Sequence, residues 1–93
     1  MQEQKIEQKL VRAVQGMGGI CPKLVCPGYS GMPDRIALLP GGKLAFIEVK
    51  APGKEPRPLQ LSRHAMLRRL GYRVYVMDDV TQIGGTLDEI SAT

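Results

Sequence analysis

The stretch "GMPDRIALLPGGKLAFIEVK", residues 31–50, contains two short apolar runs on either side of a Pro-Gly-Gly tripeptide. Runs 35–39 and 43–50 have the length of strands and are rich in Ile, Leu and Val. The tripeptide between them has the composition of a tight hairpin connection. This stretch therefore predicts an antiparallel β-hairpin.

Three charged side chains accompany the hairpin. Asp34 directly follows a proline, and Glu48 and Lys50 interrupt the second apolar run. Because side chains alternate along a strand, Glu48 and Lys50 project to the same side, with Cα atoms about 6.6 Å apart, while Val49 projects to the other. Glu48 and Lys50 therefore form one local cluster.

The length of the hairpin loop decides whether Asp34 joins this cluster. A two-residue loop pairs position 34 with position 49 and places Asp34 on the wrong face of the sheet. A three-residue loop pairs position 34 with position 48 and brings the carboxylates of Asp34 and Glu48 together. We predict the three-residue loop or an equivalent bulge.

Two helices are predicted around the hairpin. The spacing of Ile6, Leu10 and Val14 is that of an amphipathic helix over residues 3–17. A proline suited to the first turn begins a second helix, which runs over residues 58–70. The predicted core stripe of this second helix is Leu59, Met66 and Leu70.

Two further strands complete the predicted fold. Residues 20–26 are short and partly β-branched, and residues 72–77 alternate and are rich in Val and Tyr. Residues 80–90 give a weaker signal, because Gly84 and Gly85 would interrupt a helix there. The predicted order is αβββαβ, an α/β fold, followed by a helical tail.

Length and composition describe one small domain. A chain of 93 residues supports one modest core, so we treat residues 1–93 as a single domain. The sequence has no apolar run approaching the roughly 18 residues of a membrane span and no signal-peptide core, so we expect a cytoplasmic protein without membrane contact. Cys21 and Cys26 are too few for a disulfide scaffold or a zinc site, and we expect both to be packing residues.

Charge is distributed unevenly along the sequence. The net charge is +4, and residues 50–73 contain seven basic side chains and one acid, whereas residues 78–93 contain four acids and no base. This asymmetry favours a protein that binds a polyanion on one side. Solvated helix faces would produce the same pattern.

Two adjacent carboxylates repel each other, so the burial of Asp34 beside Glu48 is costly unless a cation lies between them. Carboxylate oxygens without a His or Cys cluster favour Mg²⁺ or Mn²⁺ over zinc. Such a metal would activate a bound water and neutralise a phosphoryl oxygen, while Lys50 orients or deprotonates that water. The cluster therefore suits phosphodiester hydrolysis. The alternative is that these residues are edge charges and a surface ion pair of little energetic value.

The motif formed by Pro33-Asp34, Glu48-x-Lys50 and Gln60 at the start of a helix resembles the PD-(D/E)XK nuclease superfamily. Within it, the chain is most similar to the stand-alone virus-type replication-repair nuclease (VRR-NUC) domain, over nearly its whole length. The resemblance implies a restriction-endonuclease-like αβββαβ core, in which helices flank a mixed central sheet. It also implies cleavage of DNA with Mg²⁺ or Mn²⁺.

The same resemblance implies roles for individual residues. Asp34, Glu48 and the main-chain carbonyl of Val49 would hold the metal, and Lys50 would act on the water. Glu7 resembles the first-helix glutamate of such nucleases, which reaches the metal directly or through water. On sequence alone, Glu7 is more often a solvated helix residue.

The second helix and the loop at residues 27–33 offer further candidates. Gln60 resembles the family's helix glutamine, expected near Lys50 and the scissile phosphate. His64 lies on the same helix face, and we expect it to be structural or phosphate-adjacent rather than a general base. For Tyr29, packing within its loop is favoured over stacking on a displaced base. Candidates for contacts with DNA phosphates are Lys9, Lys54, Arg57, Arg63 and Arg68.

A single module of this size presents little surface to a DNA duplex, and stand-alone relatives are similar to small junction resolvases that act as homodimers. We therefore expect a homodimer that cuts branched DNA, in particular four-way junctions, in a bacterial cell or a phage-infected host. The alternatives are a nuclease of the same fold without structural selectivity, and a DNA-binding module without catalysis.

Overall fold

A mixed sheet of three strands lies at the centre of the computed structural model, which describes residues 2–93. The central strand pairs antiparallel with the first strand and parallel with the third. The elements in chain order are α1 (Glu3–Gly16), β1 (Arg35–Leu39), β2 (Lys43–Val49), α2 (Pro58–Arg69), β3 (Val74–Met77), a 3₁₀ turn (Val80–Gln82) and α3 (Ile83–Ser91). The predicted α/β class, with helices flanking a mixed sheet, is confirmed.

The hairpin has the register of the three-residue loop. Leu39 lies opposite Lys43, and the same register continued by one residue beyond β1 places position 34 opposite position 48. Gly41 in the loop has a φ of +83°, a conformation that glycine adopts without steric cost. The predicted hairpin and its register are confirmed.

One face of the sheet carries the apolar core. Alternate residues of β2, Ala45, Ile47 and Val49, point to this face, and α1 and α3 cover it. The core comprises Ile6, Leu10, Val14, Cys21, Ala37, Leu39, Ala45, Ile47, Val49, Met77, Ile83, Leu87 and Ile90. The predicted apolar stripe of α1 is confirmed. Both cysteines are free, and Cys21 packs in this core as expected.

Helix α2 lies on the other face of the sheet, beside Glu48. Its buried residues are Gln60, His64 and Leu67. The predicted stripe of Leu59, Met66 and Leu70 was wrong, since Leu59 is 46% exposed and Leu70 is 65% exposed. The reason is that this helix faces a carboxylate, so that hydrogen-bonding side chains rather than leucines turn inward.

Residues 20–26 do not form the predicted strand. This segment runs along the edge of β1 and makes two isolated bridges, Ile20 with Leu38 and Lys23 with Arg35. Pro22 lies between the two bridges and has no N–H to donate, which interrupts a continuous ladder. The sheet therefore has three strands rather than four.

The C-terminal segment is more regular than predicted. Helix α3 runs without a break through Gly84 and Gly85, so the prediction that they interrupt it was wrong. Burial of Ile83, Leu87 and Ile90 against the core outweighs the low helix propensity of glycine. Within residues 2–93, no helix combines the length and apolarity needed to cross a membrane.

Candidate active site

Asp34 and Glu48 meet at the open end of the hairpin. Asp34 immediately precedes β1, and its Oδ2 accepts a hydrogen bond of 2.8 Å from the backbone N–H of Val49. This bond fixes the Asp34 side chain against the end of β2, beside Glu48. The three-residue loop thus brings together the two carboxylates for which it was predicted.

Glu48 is completely buried, and three side chains place nitrogen atoms beside its carboxylate. Gln60 Nε2 lies 3.2 Å from Oε2, and His64 Nε2 lies 3.3 Å from Oε1. The ammonium group of Lys50 lies 3.6 Å from Oε2. Two donors, Gln60 and Lys50, therefore approach Oε2, and the His64 ring nitrogen lies against Oε1.

The pKa of Glu48 is raised to about 8, chiefly by burial and then by the hydrogen bond with Asp34 and its negative charge, while Lys50 opposes the shift. A cation between the two carboxylates would offset their repulsion and lower the pKa of Glu48, so that Glu48 would no longer bind a proton. Among residues 2–93, His, Cys, Asp and Glu side chains form no group of three that could hold a metal ion. A site with two carboxylates fits Mg²⁺ or Mn²⁺, since Mg²⁺ usually retains several waters.

Lys50 is positioned at the end of β2. Its backbone N–H donates to the carbonyl of Met77 on β3 at 2.9 Å, which fixes the main chain at this point. Only 17% of its side chain is exposed, with the ammonium group near Glu48. The predicted pairing of Glu48 and Lys50 on one face is present in the structure.

Gln60 links the start of α2 to Glu48. Its Oε1 accepts a hydrogen bond of 2.8 Å from the backbone N–H of Arg57, one of the first-turn groups that lack a helical partner. This bond orients the side-chain amide so that Nε2 points at Glu48. The structure therefore brings Gln60 to the site, as the sequence predicted.

Glu7 lies beside the carboxylate pair rather than within it. Its Oε1 accepts a hydrogen bond of 2.8 Å from Arg35 Nε, and Arg35 also donates to the carbonyl of Cys21 at 2.8 Å. Glu7 and Asp34 line the same cavity, of about 270 Å³. A role of Glu7 at a metal remains a prediction, as does that of the Val49 carbonyl.

The predicted DNA-contacting residues fall into two groups. Lys9, Lys54 and Arg57 are exposed. Arg63 and Arg68 instead hold the protein's own backbone, since Arg63 Nε donates to the carbonyl of Ser30 and Arg68 to that of Val74, each at 2.8 Å. The structure therefore assigns Arg63 and Arg68 structural contacts that their charge alone did not indicate.

The loop before Asp34 is fastened to α2. The guanidinium of Arg63 stacks over the ring of Tyr29 at 4.1 Å, and the Tyr29 hydroxyl lies 3.1 Å from the sulfur of Met66. Tyr29 therefore packs against α2, whereas the packing favoured for it was within its own loop. The loop thus forms a wall on the α2 side of the site.

His64 lies in the site as a buried side chain, on the helix face that was predicted for it. It is 1% exposed and lies against Glu48. Burial lowers its pKa, with a further lowering from the charge of Arg68. Its position four residues after Gln60 was the available signal, because residues at that spacing share a helix face.

Comparison with known proteins agrees with this geometry. The VRR-NUC domain family matches residues 1–80. A curated protein named "Putative nuclease p44", from Acyrthosiphon pisum secondary endosymbiont phage 1, is 50% identical over 78 residues, which is 84% of each chain. A solved VRR-NUC domain superposes with a TM-score of 0.88 at 29% identity, covering 95% of this chain and 97% of that one.

Proposed function

The chain belongs to the VRR-NUC domain family, and from that premise we propose that it is a metal-dependent endodeoxyribonuclease that hydrolyses phosphodiester bonds. The observation that supports this most strongly is the fully buried Glu48 beside Asp34, with nitrogen atoms of α2 against both of its oxygens. Two adjacent carboxylates, one of them buried, destabilise a fold unless protonation or a cation offsets their repulsion, and a bound metal ion would do so. The nuclease name of the phage relative points the same way.

In this proposal Asp34, Glu48 and the Val49 carbonyl hold Mg²⁺ or Mn²⁺, and Glu7 assists from the neighbouring cavity. The metal supplies an activated water and neutralises charge on the phosphate. Lys50 orients the attacking water and contributes positive charge near the reacting phosphate. Gln60 keeps Glu48 aligned.

The exposed basic side chains provide a surface for the DNA backbone. Lys54 and Arg57 lie in the segment that joins Lys50 to α2, at the same end of β2 as the carboxylates. Contacts of this kind bind phosphates and carry no sequence information. We therefore propose that the enzyme recognises the shape of its DNA substrate and not a base sequence.

The finer proposal is a homodimer that cuts four-way junctions in the cytoplasm of a bacterium or a phage-infected host. Two-fold symmetry would present one site to each of two strands of a junction. The test of the assembly is the mass in solution by light scattering, alone and with a four-way junction. A monomer in both measurements would rule out the dimeric junction resolvase. It would not affect the proposal of metal-dependent phosphodiester hydrolysis.

The substrate is tested by offering labelled four-way junction, flap, single-stranded and plain duplex DNA with Mg²⁺, Mn²⁺ or EDTA. We expect metal-dependent cutting that is fastest on the junction. Equal rates on junction and plain duplex would favour a nuclease of the same fold without structural selectivity. DNA binding without cutting of any substrate would favour a non-catalytic module.

A further inference from the structure

We propose that His64 is a positioning residue for Glu48, donating from Nε2 to Oε1 and so fixing the orientation in which Glu48 offers its carboxylate to the metal. This inference rests on the proposed function, since it concerns the same site. The observations that carry it are the 3.3 Å separation of Nε2 from Oε1 and the near-complete burial of both side chains.

Two of the three side chains around the Glu48 carboxylate come from one rigid element. Gln60 and His64 lie one turn apart on α2, and they approach different oxygens of the carboxylate, Oε2 and Oε1. A fixed donor on each oxygen defines the plane of the carboxylate, whereas donors on Oε2 alone would leave Oε1 free to rotate. The helix therefore presents Glu48 in a single orientation before any metal arrives.

The surroundings of His64 also define which ring nitrogen carries the proton. Nδ1 is buried and has no hydrogen-bond partner. Within residues 2–93, no other buried side-chain N or O atom lacks a partner. A buried N–H without a partner is rarer than a buried acceptor without one. A proton on Nδ1, in either the neutral or the charged ring, would create such an N–H, so the geometry favours the neutral tautomer with the proton on Nε2.

The first test uses the fact that the chain contains one histidine. Nitrogen-15 NMR of the wild-type protein reports the tautomer without any substitution. We expect Nε2 to be protonated and Nδ1 to be bare, with and without Mg²⁺, and both ring nitrogen signals to shift as Mg²⁺ is added. A protonated Nδ1, or ring signals that do not respond to Mg²⁺, would overturn the proposal.

The second test measures Mn²⁺ binding directly, by electron paramagnetic resonance of the free ion, in the wild type and two variants. His64→Gln can still offer an N–H near the Nε2 position, whereas His64→Leu fills a similar volume and offers none. We expect Mn²⁺ affinity close to wild type for the first and about 10- to 100-fold weaker for the second. Equal affinities for the leucine variant and the wild type would overturn the inference, as would an equal loss in both variants.

Leu67→Val is the matched control, because Leu67 is buried on the same face of α2 one turn later and makes no hydrogen bond to Glu48. It should lower the unfolding temperature and leave Mn²⁺ affinity unchanged. Loss of affinity in this variant would mean that loosened packing alone explains the His64 result. Failure of the wild type to bind Mn²⁺ would reject the proposed function itself, and is distinguishable from a failure confined to His64.

Discussion

Glu48 makes the stability of the metal-free protein depend on pH. Its pKa is raised from 4.5 to about 8 on folding, chiefly by burial, so the folded protein binds a proton there that the unfolded chain has lost. An acid with a raised pKa contributes most to stability below about pH 4.5, and this contribution is lost as the pH rises through 8. His64 has the opposite dependence, because its lowered pKa makes the folded protein less stable as the pH falls below 6.5.

We predict that Glu48→Gln removes the fall in stability of the metal-free protein between pH 7 and 8 and abolishes metal-dependent cutting. The substitution removes the carboxyl group that titrates in this range, so the unfolding temperature of the variant in EDTA should stay nearly constant while that of the wild type falls. Thermal unfolding between pH 7 and 8 is the measurement, since His64 is mostly neutral in both states there and its small contribution to the pH dependence has the opposite sign.

The matched control for this prediction is Glu55→Gln, which removes one negative charge from an exposed position. It should leave the unfolding temperature and its pH dependence close to those of the wild type. A wild-type protein whose stability does not fall between pH 7 and 8, or a Glu48→Gln variant whose stability falls as steeply as that of the wild type, would contradict the account of Glu48.

Some residues of the site could be predicted and others could not, for physical reasons. Glu48 and Lys50 follow from strand alternation, and Asp34 follows once the loop length is chosen. The contacts of Arg63 and Arg68 were not predictable, because their partners are backbone carbonyl groups, which carry no signal in the sequence, and that of Arg63 lies 33 residues away. Charge alone does not distinguish a cation that binds DNA from one that binds its own chain.

At the scale of the element, α3 shows how packing overrides local propensity. Gly84 and Gly85 both lie within the helix, and a Cβ added at either position would meet no atom within 4 Å. The apolar residues of α3 are spaced for one buried face, and this periodicity was the better guide. The low helix propensity of Gly84 and Gly85, considered without the tertiary contacts, led to the wrong expectation that the helix would be interrupted.

We predict that Gly84→Ala and Gly85→Ala each stabilise the protein by about 0.5–1 kcal/mol, because alanine lowers the backbone entropy lost on helix formation. The measurement is urea unfolding of each variant. Nuclease activity should not change, since α3 covers the sheet face opposite Glu48. Destabilisation by either substitution would show that these positions are not open as the structure indicates.

The loop before Asp34 depends on a glycine that packs against α2. Gly31 has a φ of +87°, and an added Cβ would lie 2.7 Å from Leu59 Cγ. We predict that Gly31→Ala destabilises the protein by about 2–3 kcal/mol and lowers kcat, because both the strained φ and the contact displace the loop from α2.

Gly28→Ala separates these two causes. Gly28 has a similar φ of +77°, but a Cβ there would meet no atom within 4 Å. The Gly28→Ala substitution should lower the free energy of unfolding by about 1–2 kcal/mol, because alanine is strained at a positive φ, and should leave kcat nearly unchanged. Equal effects of the two substitutions on stability and on kcat would mean that the contact between the loop and α2 has no part in shaping the site.

At the scale of the whole molecule, the two faces of the sheet have separate tasks. One face is covered by α1 and α3 and supplies the apolar core, while the other carries Glu48 under the polar face of α2. The sequence predicted the hairpin and the helices that surround it, because these depend on local spacing and turn residues. It did not predict the polar inner face of α2, which exists because of a carboxylate on another element.

The error at residues 20–26 has a local cause. A short apolar segment beside a sheet edge has the composition of a strand, yet Pro22 prevents a continuous ladder. The number of strands therefore depended on one residue. The α/β class did not, because the hairpin, β3 and the three helices define it without a fourth strand.

The most direct test of the central claim is cleavage of DNA by the wild type and by Lys50→Ala, with Mg²⁺, Mn²⁺ or EDTA, and with DNA binding measured in parallel. The account predicts that the wild type cuts only with metal. It also predicts that Lys50→Ala loses at least about 100-fold in cleavage rate and binds DNA nearly as well. A folded wild type that cuts no DNA with either metal, or a Lys50→Ala variant that cuts at the wild-type rate, would contradict it.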